Sequence, residues 1–315
     1  MLITILTLSY NSPNLLETIN SVLAQDYEQI QYILVDDGTN GFSQPDITAY
    51  IQRSSKDNIV DFNVISNVKN LGTVKTANIA LSHAKGEYIF FLAGDDIFAD
   101  TAVISDWVVA FKTSSALVMT AYRNVYDHNL TTFLERMPLK SHVNKIKRLS
   151  SQKLFEDIAV ENFILGCCTA YSKKCFDIYG KYNERYRLIE DHPMILHLLR
   201  QGVAIKFFDR VVVCYRSNGT SSPLRYNTAY EQDVDLIFTH EVEPYVPSPQ
   251  KSKRLHEKWK QKRQHIKKLQ HYIYMNKKNT AKVIFARLWF HAQYPRDSIV
   301  GLLLDFGKIK RLFRK

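Results

Sequence analysis

The sequence predicts an α/β fold: a mainly parallel sheet with helices on both faces, followed by a basic, α-helical C-terminal extension. Two observations predict it. Over roughly the first 112 residues, short apolar β-branched runs alternate with segments whose apolar residues recur at helical spacing. The charge is also unevenly placed. The net charge is +11, yet residues 251–315 alone hold 19 Lys and Arg against 3 Asp and Glu, so the first 250 residues are mildly acidic.

The elements follow in order. Residues 2–8 are an apolar strand. Ser12-Pro13 reads as a helix start, with Ser as N-cap and Pro at the first helical position, and Leu15, Ile19, Val22 and Leu23 repeat at helical spacing. Residues 31–35 are a second strand, closed by Asp36-Asp37-Gly38, and 46–53 suit a short helix. Residues 61–65 form a third strand. Gly72 then precedes a helix with Val74, Ala77, Leu81 and Ala84 on one face. Residues 87–92 are a fourth strand and 101–112 another helix. In such sheets ligands lie beyond the carboxyl ends of the strands. From about residue 115 the pattern loosens. Residues 116–121 and 211–215 read as strands and 191–200 as a helix. Pro244, Pro247 and Pro249 mark a linker over 243–251. Beyond it Leu255, Trp259, Ile266, Leu269 and Ile273 share a helical face, and Leu302, Phe306, Ile309 and Phe313 repeat that spacing.

Composition narrows the class. Apolar content of 45% and charged content of 23% suit a soluble globular protein, and 315 residues suffice for one large domain or two smaller ones. Cys167, Cys168, Cys175 and Cys214 lack C-x-x-C or zinc-ligand spacing, so reduced thiols in a reducing compartment are expected. No leader peptide is expected at Met1, and no apolar run approaches the ~18 residues a membrane span needs. Neither a P-loop nor G-x-G-x-x-G occurs.

Three carboxylate pairs stand out: Asp36-Asp37, Asp95-Asp96 and Glu190-Asp191. The first two end parallel strands, so the sheet brings them to one edge. Paired like charges at the edge of a core are costly unless a cation or strong donors meet them. A hard divalent cation suits Asp95-Asp96. A cation held by so few protein ligands implies a substrate whose phosphates supply the rest. A nucleoside diphosphate compound is therefore expected.

The N-terminal part resembles family 2 glycosyltransferases of the GT-A fold. The likeness rests on Thr7-Leu8-Ser9-Tyr10-Asn11 with Leu15, Ile19, Ser21, Val22, Leu23 and Gln25; on Val35-Asp36-Asp37-Gly38-Thr39; on Asn70-Leu71-Gly72 with Asn78; on Gly86-Glu87-Tyr88-Ile89 running into Asp95-Asp96; and on Glu190-Asp191. It covers roughly residues 1–220. It implies an inverting transfer from a nucleotide-sugar, with UDP the expected nucleotide, to a hydroxyl of a lipid-linked or growing saccharide in surface polysaccharide synthesis. Residues 1–230 would form the catalytic domain, with the nucleotide-sugar part over about 1–112 and the acceptor part over about 113–230. Ser9, Tyr10, Asn11, Asp36, Asp37, Asn70, Gly72 and Lys75 would line the nucleotide, with Tyr10 against the base. Asp95 would be the main ligand of Mn2+ or Mg2+, with Gly94 and Asp96 beside it. Asp191 would be the general base, with Glu190 as the alternative or as a helix cap. Arg216 would meet the diphosphate.

Two departures bear on this. Ala93-Gly94-Asp95-Asp96 lacks the first carboxylate of the family's D-x-D-D, and Tyr215-Arg216-Ser217-Asn218 has Asn218 where the family has a His that reaches the metal or phosphates. They motivate an alternative: a non-catalytic nucleotide-binding or scaffold protein with a decayed site. For the basic region, 231–315, three roles compete. It lies on an anionic membrane at the cytoplasmic face through residues 251–315, it packs on the body or on a second copy of the chain, or, least favoured, it binds nucleic acid.

Overall fold

The computed structural model describes residues 1–217 and 227–275; after residue 264 it describes backbone only, Lys268 apart. In chain order the elements are β1 (Ile3–Ser9), α1 (Leu15–Leu23), β2 (Ile30–Asp36), α2 (Gln44–Ser54), β3 (Ile59–Ser66), α3 (Thr73–His83), β4 (Tyr88–Ala93), β5 (Ile97–Phe98) and α4 (Val103–Ser114). The second half has β6 (Val118–Tyr126), β7 (Phe133–Met137), α5 (Lys140–Arg148), α6 (Ser151–Val160), β8 (Thr169–Ser172), α7 (Lys173–Tyr179), α8 (Asp191–Arg200), β9 (Ile205–Arg216), α9 (Thr228–Ile237) and α10 (Pro249–Met275).

All nine strands form one sheet in the order β3-β2-β1-β4-β8-β6-β9-β5, with β7 on the flank of β6. The first four strands are parallel and in close register, Ser9 opposite Asp36 and Leu8 opposite Ala93. Their ends therefore finish at one edge. Successive residues of β1 and β2 face opposite cores: Leu6, Ile33 and Val35 pack with α3, α6 and α8, while Ile5, Tyr32 and Leu34 pack with α1 and α4. Burial on both faces is why these strands read as unbroken apolar runs. The other half of the sheet is mixed, β8 running antiparallel to both β4 and β6, and β9 parallel to β6.

Three expectations change. Ser12 does not cap α1, which starts at Leu15 after Asn14 and has no side-chain cap bond. The chain turns first at Asn11, which has φ +50° and donates its N–H to Thr39 Oγ1 at 2.8 Å. The proline-rich segment is no free linker. A π turn (Phe238–Val242) and a 3-10 turn (Glu243–Tyr245) bind it to the body, Arg200 stacks on the Tyr245 ring at 3.9 Å, and Val246 is in the core. The boundary expected at residue 230 falls inside α9, whose Ile237 joins the core of Leu6 and Ile33, as does Leu255 of α10. Of the apolar face expected beyond it, Leu255 and Trp259 pack inward, whereas the side chains of Ile266, Leu269 and Ile273 and all of 276–315 lie outside the described residues.

Candidate active site

The turns after β1, β2, β3 and β4 meet at the carboxyl edge of the sheet. Asp36 and Asp37 stand there as neighbours with different tasks. Both oxygens of Asp37 are engaged: Oδ1 accepts Asn67 Nδ2 at 2.9 Å and the Leu71 N–H at 2.8 Å, and Oδ2 accepts the Gly72 N–H at 2.9 Å. It ties the loop after β3 to the end of β2. Asp36 is fully buried. Its Oδ2 accepts the Thr39 N–H at 2.7 Å, and its Oδ1 has no partner among the described residues. Ser9 sits beside them, its carbonyl accepting the Asp37 N–H at 2.7 Å. Tyr10 is half exposed, a ring free to pack on a ligand rather than part of the core. Lys75 is exposed on α3. Gly72 has φ +92°, and a Cβ there would lie 2.5 Å from the Arg187 carbonyl oxygen, so only glycine fits. Asn70 is held beneath Arg187, whose Nη2 donates to its Oδ1 at 2.7 Å.

The acidic tip after β4 is a tight turn. The Gly94 N–H donates to Leu8 O at 2.8 Å and the Asp96 N–H to Ala93 O at 3.0 Å. A Cβ on Gly94 would press on Ser9 Cβ, 3.0 Å away. Asp95 is partly open, and burial pushes its carboxyl up, with Arg216 and His128 opposing. Asp96 is fully buried. Burial pushes it up further, and the Asp95 and Cys167 charges add to this. Its Oδ1 accepts the Arg216 N–H at 2.9 Å, and its Oδ2 is unpartnered. Arg216 itself is buried. Its guanidinium holds the Asp95 and His128 carbonyl oxygens and pairs with Glu17.

Among the described residues, no group of three or more His, Cys, Asp or Glu is arranged to hold a metal ion alone. The tip does fit a hard cation whose remaining ligands come from a substrate: two adjacent carboxylates, one partly open and one with a stranded oxygen. Asn218, the other expected ligand, lies outside the described residues.

The third pair opens α8. Asp191 Oδ2 accepts the Gly166 N–H at 2.8 Å and Asn162 Nδ2 at 3.3 Å, while Oδ1 accepts the His192 N–H at 2.7 Å. Gly166 allows this approach, since a Cβ there would lie 3.0 Å from Asp191 Cβ. Glu190 is half-buried, and burial, reinforced by the Asp191 charge, pushes its carboxyl up to about 8. Glu190 therefore holds its proton into the neutral range. Cys167, next to Gly166, connects this pair to the acidic tip, since its charge bears on both Asp96 and Glu190. Arg123 Nη1 donates to Cys167 Sγ at 3.3 Å and its guanidinium stacks on Tyr215 at 3.9 Å.

The structure thus gathers Ser9, Tyr10, Asn11, Asp36, Asp37, Gly94, Asp95 and Asp96 at one edge, with Asn70 and Gly72 on the loop that Asp37 holds. Arg216 reaches the tip, but its guanidinium is occupied by protein oxygens. Sequence reasoning missed Glu17, Arg123, Asn162 and Arg187. Their contacts span 199, 44, 29 and 117 residues, and no local pattern announces them.

Comparison with known proteins agrees with this geometry. Residues 4–179 match the family model "Glycosyl transferase family 2". The chain is 27% identical over 226 residues, 70% of its length and 79% of the relative's, to the Escherichia coli UDP-Glc:alpha-D-GlcNAc-diphosphoundecaprenol beta-1,3-glucosyltransferase WfaP. It superimposes on S. aureus TarS 1-349 in complex with UDP-GlcNAc with a TM-score of 0.59, 15% identity, and coverage of 92% of this chain and 80% of that one. The mannosyltransferase PcManGT of Pyrobaculum calidifontis, in complex with GDP-Man and Mn2+, gives 0.58 at 14% identity, covering 98% and 80%. The fold is the GT-A fold of these neighbours.

Proposed function

We propose, since the chain belongs to glycosyltransferase family 2, that it moves a sugar from a UDP-sugar to a hydroxyl of a lipid-linked or growing saccharide in cell-surface polysaccharide synthesis, inverting the anomeric carbon. One observation supports this most. Two buried carboxylates at one sheet edge, Asp36 and Asp96, each keep an oxygen without a partner. A stranded acceptor of this kind costs ~1–3 kcal/mol or more, and a ligand that donates to one and a cation that meets the other relieve both. The donor and acceptor named for WfaP, the UDP-GlcNAc bound by TarS and the Mn2+ bound by PcManGT support the choice of substrate class and metal.

On this reading Asp36 Oδ1 accepts from the base or ribose, Tyr10 packs against the base, and Asn70, Gly72 and Lys75 border the nucleotide. Asp95 and Asp96 would hold Mn2+ or Mg2+, which when bound offsets the charge of a departing diphosphate. Asp191 Oδ1 has one hydrogen bond and keeps a lone pair for the acceptor hydroxyl. It takes that proton as the hydroxyl oxygen bonds to the anomeric carbon, and the bond to the diphosphate breaks with its electron pair. Glu190, protonated, does not compete for this role.

The test is Mn2+-dependent release of free nucleoside diphosphate from a panel of sugar nucleotides. Release from at least one donor is expected, lost by a factor of about 10²–10⁴ in Asp191→Asn with UDP binding retained. Binding without release from any donor would instead favour the non-catalytic reading motivated by Ala93. No described helix is long and apolar enough to cross a membrane. The exposed Lys253, Arg254, Lys258 and Lys260 of α10 form a basic outer face that we assign to an anionic membrane surface. Flotation on anionic liposomes, with loss on truncation of residues 251–315, is the expected result; equal flotation of both forms would refute it.

A further inference from the structure

The segment that leads into Glu190-Asp191 is not held by the sheet. Three consecutive backbone N–H groups, those of Arg187, Leu188 and Ile189, converge on one side chain, the buried carboxylate of Asp233 in α9. The Arg187 N–H reaches both oxygens, at 3.0 and 2.9 Å, and Leu188 and Ile189 donate to Oδ2 at 2.6 and 3.1 Å. A run of N–H groups around one anion is a nest, and a carboxylate seated in it makes charge-assisted bonds.

The supports of α9 extend the hold. Asn227 caps its start, accepting from the Ala229 and Tyr230 N–H groups at 3.0 and 3.3 Å. Glu231, two residues before Asp233, is buried against Arg263 of α10, which also approaches Asp235 at 3.5 Å. Farther along, Glu241 accepts the Tyr186 hydroxyl at 2.9 Å and pairs with Arg200 at 2.7 Å, fixing the start of the same segment and the end of α8. The opposite side of the segment meets the start of α3, the Val74 N–H donating to Arg187 O at 3.2 Å.

We propose that Asp233 is a positioning residue for sugar transfer. Seated in the nest of residues 187–189, its carboxylate fixes where Asp191 stands, and α9, braced by Arg263 of α10, clamps that segment. The inference rests on the assignment of Asp191 as general base. Displacing a reacting group by about 1 Å costs on the order of 10²-fold in rate, so a clamp on the preceding three residues acts on turnover. The Asp36 and Tyr10 contacts expected for the nucleotide lie outside the nest, which reaches the nucleotide side only where Arg187 meets Asn70, Gly72 and Val74.

The test uses the full chain with Asp233→Asn and Asp233→Glu. An amide side chain offers one acceptor oxygen and turns an NH2 group toward N–H donors, while Glu keeps the carboxylate. In Asp233→Asn, hydrogen exchange at the amides of Arg187, Leu188 and Ile189 is expected to quicken about tenfold or more, the equivalent of one lost charge-assisted bond. The β1 amides should stay protected. The kcat for transfer should fall about 10–100-fold, with the Kd for UDP and Mn2+ unchanged within about twofold, and Asp233→Glu should fall between wild type and Asn on both readouts. Unchanged exchange at the three amides, or a UDP affinity that falls in step with kcat, would overturn the proposal. If Asp233→Asn does not fold, Asp233→Glu decides by the same two measurements. The exchange readout needs no turnover, so a wild-type chain inactive with every donor would sink the enzymatic reading while the amides still report whether Asp233 holds the segment.

Discussion

Changing Asp37 to Asn separates two neighbouring carboxylates that the sequence treats as equivalent. Asp37 accepts three hydrogen bonds, from Asn67 Nδ2, the Leu71 N–H and the buried Gly72 N–H. An amide has one oxygen. Placed at the Oδ1 position, it keeps Asn67 and Leu71, now as bonds to a neutral acceptor. The NH2 group then faces the Gly72 N–H and strands it. Losing a bond to a charged group costs ~1.5–3 kcal/mol, and a stranded buried donor ~1–3, with partial overlap, so about 3 kcal/mol is expected. That is a factor of about 10² in the folding equilibrium, and at a urea slope of about 3 kcal/mol/M the midpoint falls by about 1 M. Asp36→Asn is the contrast. The Asp36 carboxylate accepts only the Thr39 N–H from the described residues, and its Oδ1 is unpartnered. The amide oxygen can keep that bond, so stability should change by less than about 1 kcal/mol, while UDP loses an acceptor and its Kd rises about tenfold. Urea melts followed by circular dichroism and UDP titration calorimetry read both. Equal midpoint shifts in the two variants, or a shift under about 0.3 M for Asp37→Asn at that slope, would refute the division of labour.

Two further predictions rest on titration. Glu190, raised to about 8 by burial and by Asp191, binds a proton in the native state that the unfolded chain releases above about pH 4.5, so its contribution to stability is lost as pH rises through that window. Glu190→Gln should therefore gain on wild type between pH 5 and pH 8.5, by an amount on the order of 2 kcal/mol once solvent screening is allowed for, and parallel urea-midpoint profiles would exclude this. Cys167 is lowered to about 6 by its bond with Cys168 and by Arg123, whereas burial raises Cys175 to about 12. Iodoacetamide should label Cys167 at a rate that levels off above about pH 7, as expected of a thiolate already formed, with Cys175 unlabelled; a rate still climbing to pH 9 would contradict it.

The parallel half of the fold was legible because β1, β2 and β4 are buried on both faces and the helices against them carry one apolar stripe each. Residues 31–35 and 87–92 read as strands with no help from context, and each end of β2 and β4 differs from them by one residue. The mixed half was legible only in part. Phe133–Met137 is a short, partly exposed strand with Glu135 and Arg136 set among three apolar residues, and its pairing with β6 supplies the order. Only 211–215 of the twelve-residue β9 read as a strand, since its first half mixes charge with aromatics. In the site, the acidic pairs were visible because each is local. Which oxygens of each pair the protein itself occupies was invisible, because that depends on Asn67, Gly166 and Arg216, brought up from other elements. Ser12 shows the same limit: a sound capping signal yields to the turn that Thr39 imposes on Asn11.

Arg216 settles what meets the acidic tip from the protein side. A guanidinium beside two carboxylates would ordinarily pair with them, bidentately if the geometry allowed. Here it bonds the Asp95 carbonyl oxygen, the His128 carbonyl oxygen and Glu17, and it is the backbone N–H of Arg216 that meets Asp96. The turn is fixed, yet the Asp95 carboxylate and Asp96 Oδ2 are left for something else. A direct ion pair would neutralise the groups a cation needs, so a brace through carbonyls keeps both rigidity and charge. Lysine cannot reproduce it, because one ammonium does not span three acceptors held in a planar fork. Arg216→Lys should therefore weaken Mn2+-dependent UDP binding about tenfold or more, the loss of one charge-assisted bond at ~1.5–3 kcal/mol, although both carboxylates remain. Metal-free UDP binding, which depends on Asp36 and Tyr10, should change little. If metal-free and Mn2+-dependent binding fell together, Arg216 would be touching the nucleotide itself, and the brace would be the wrong account.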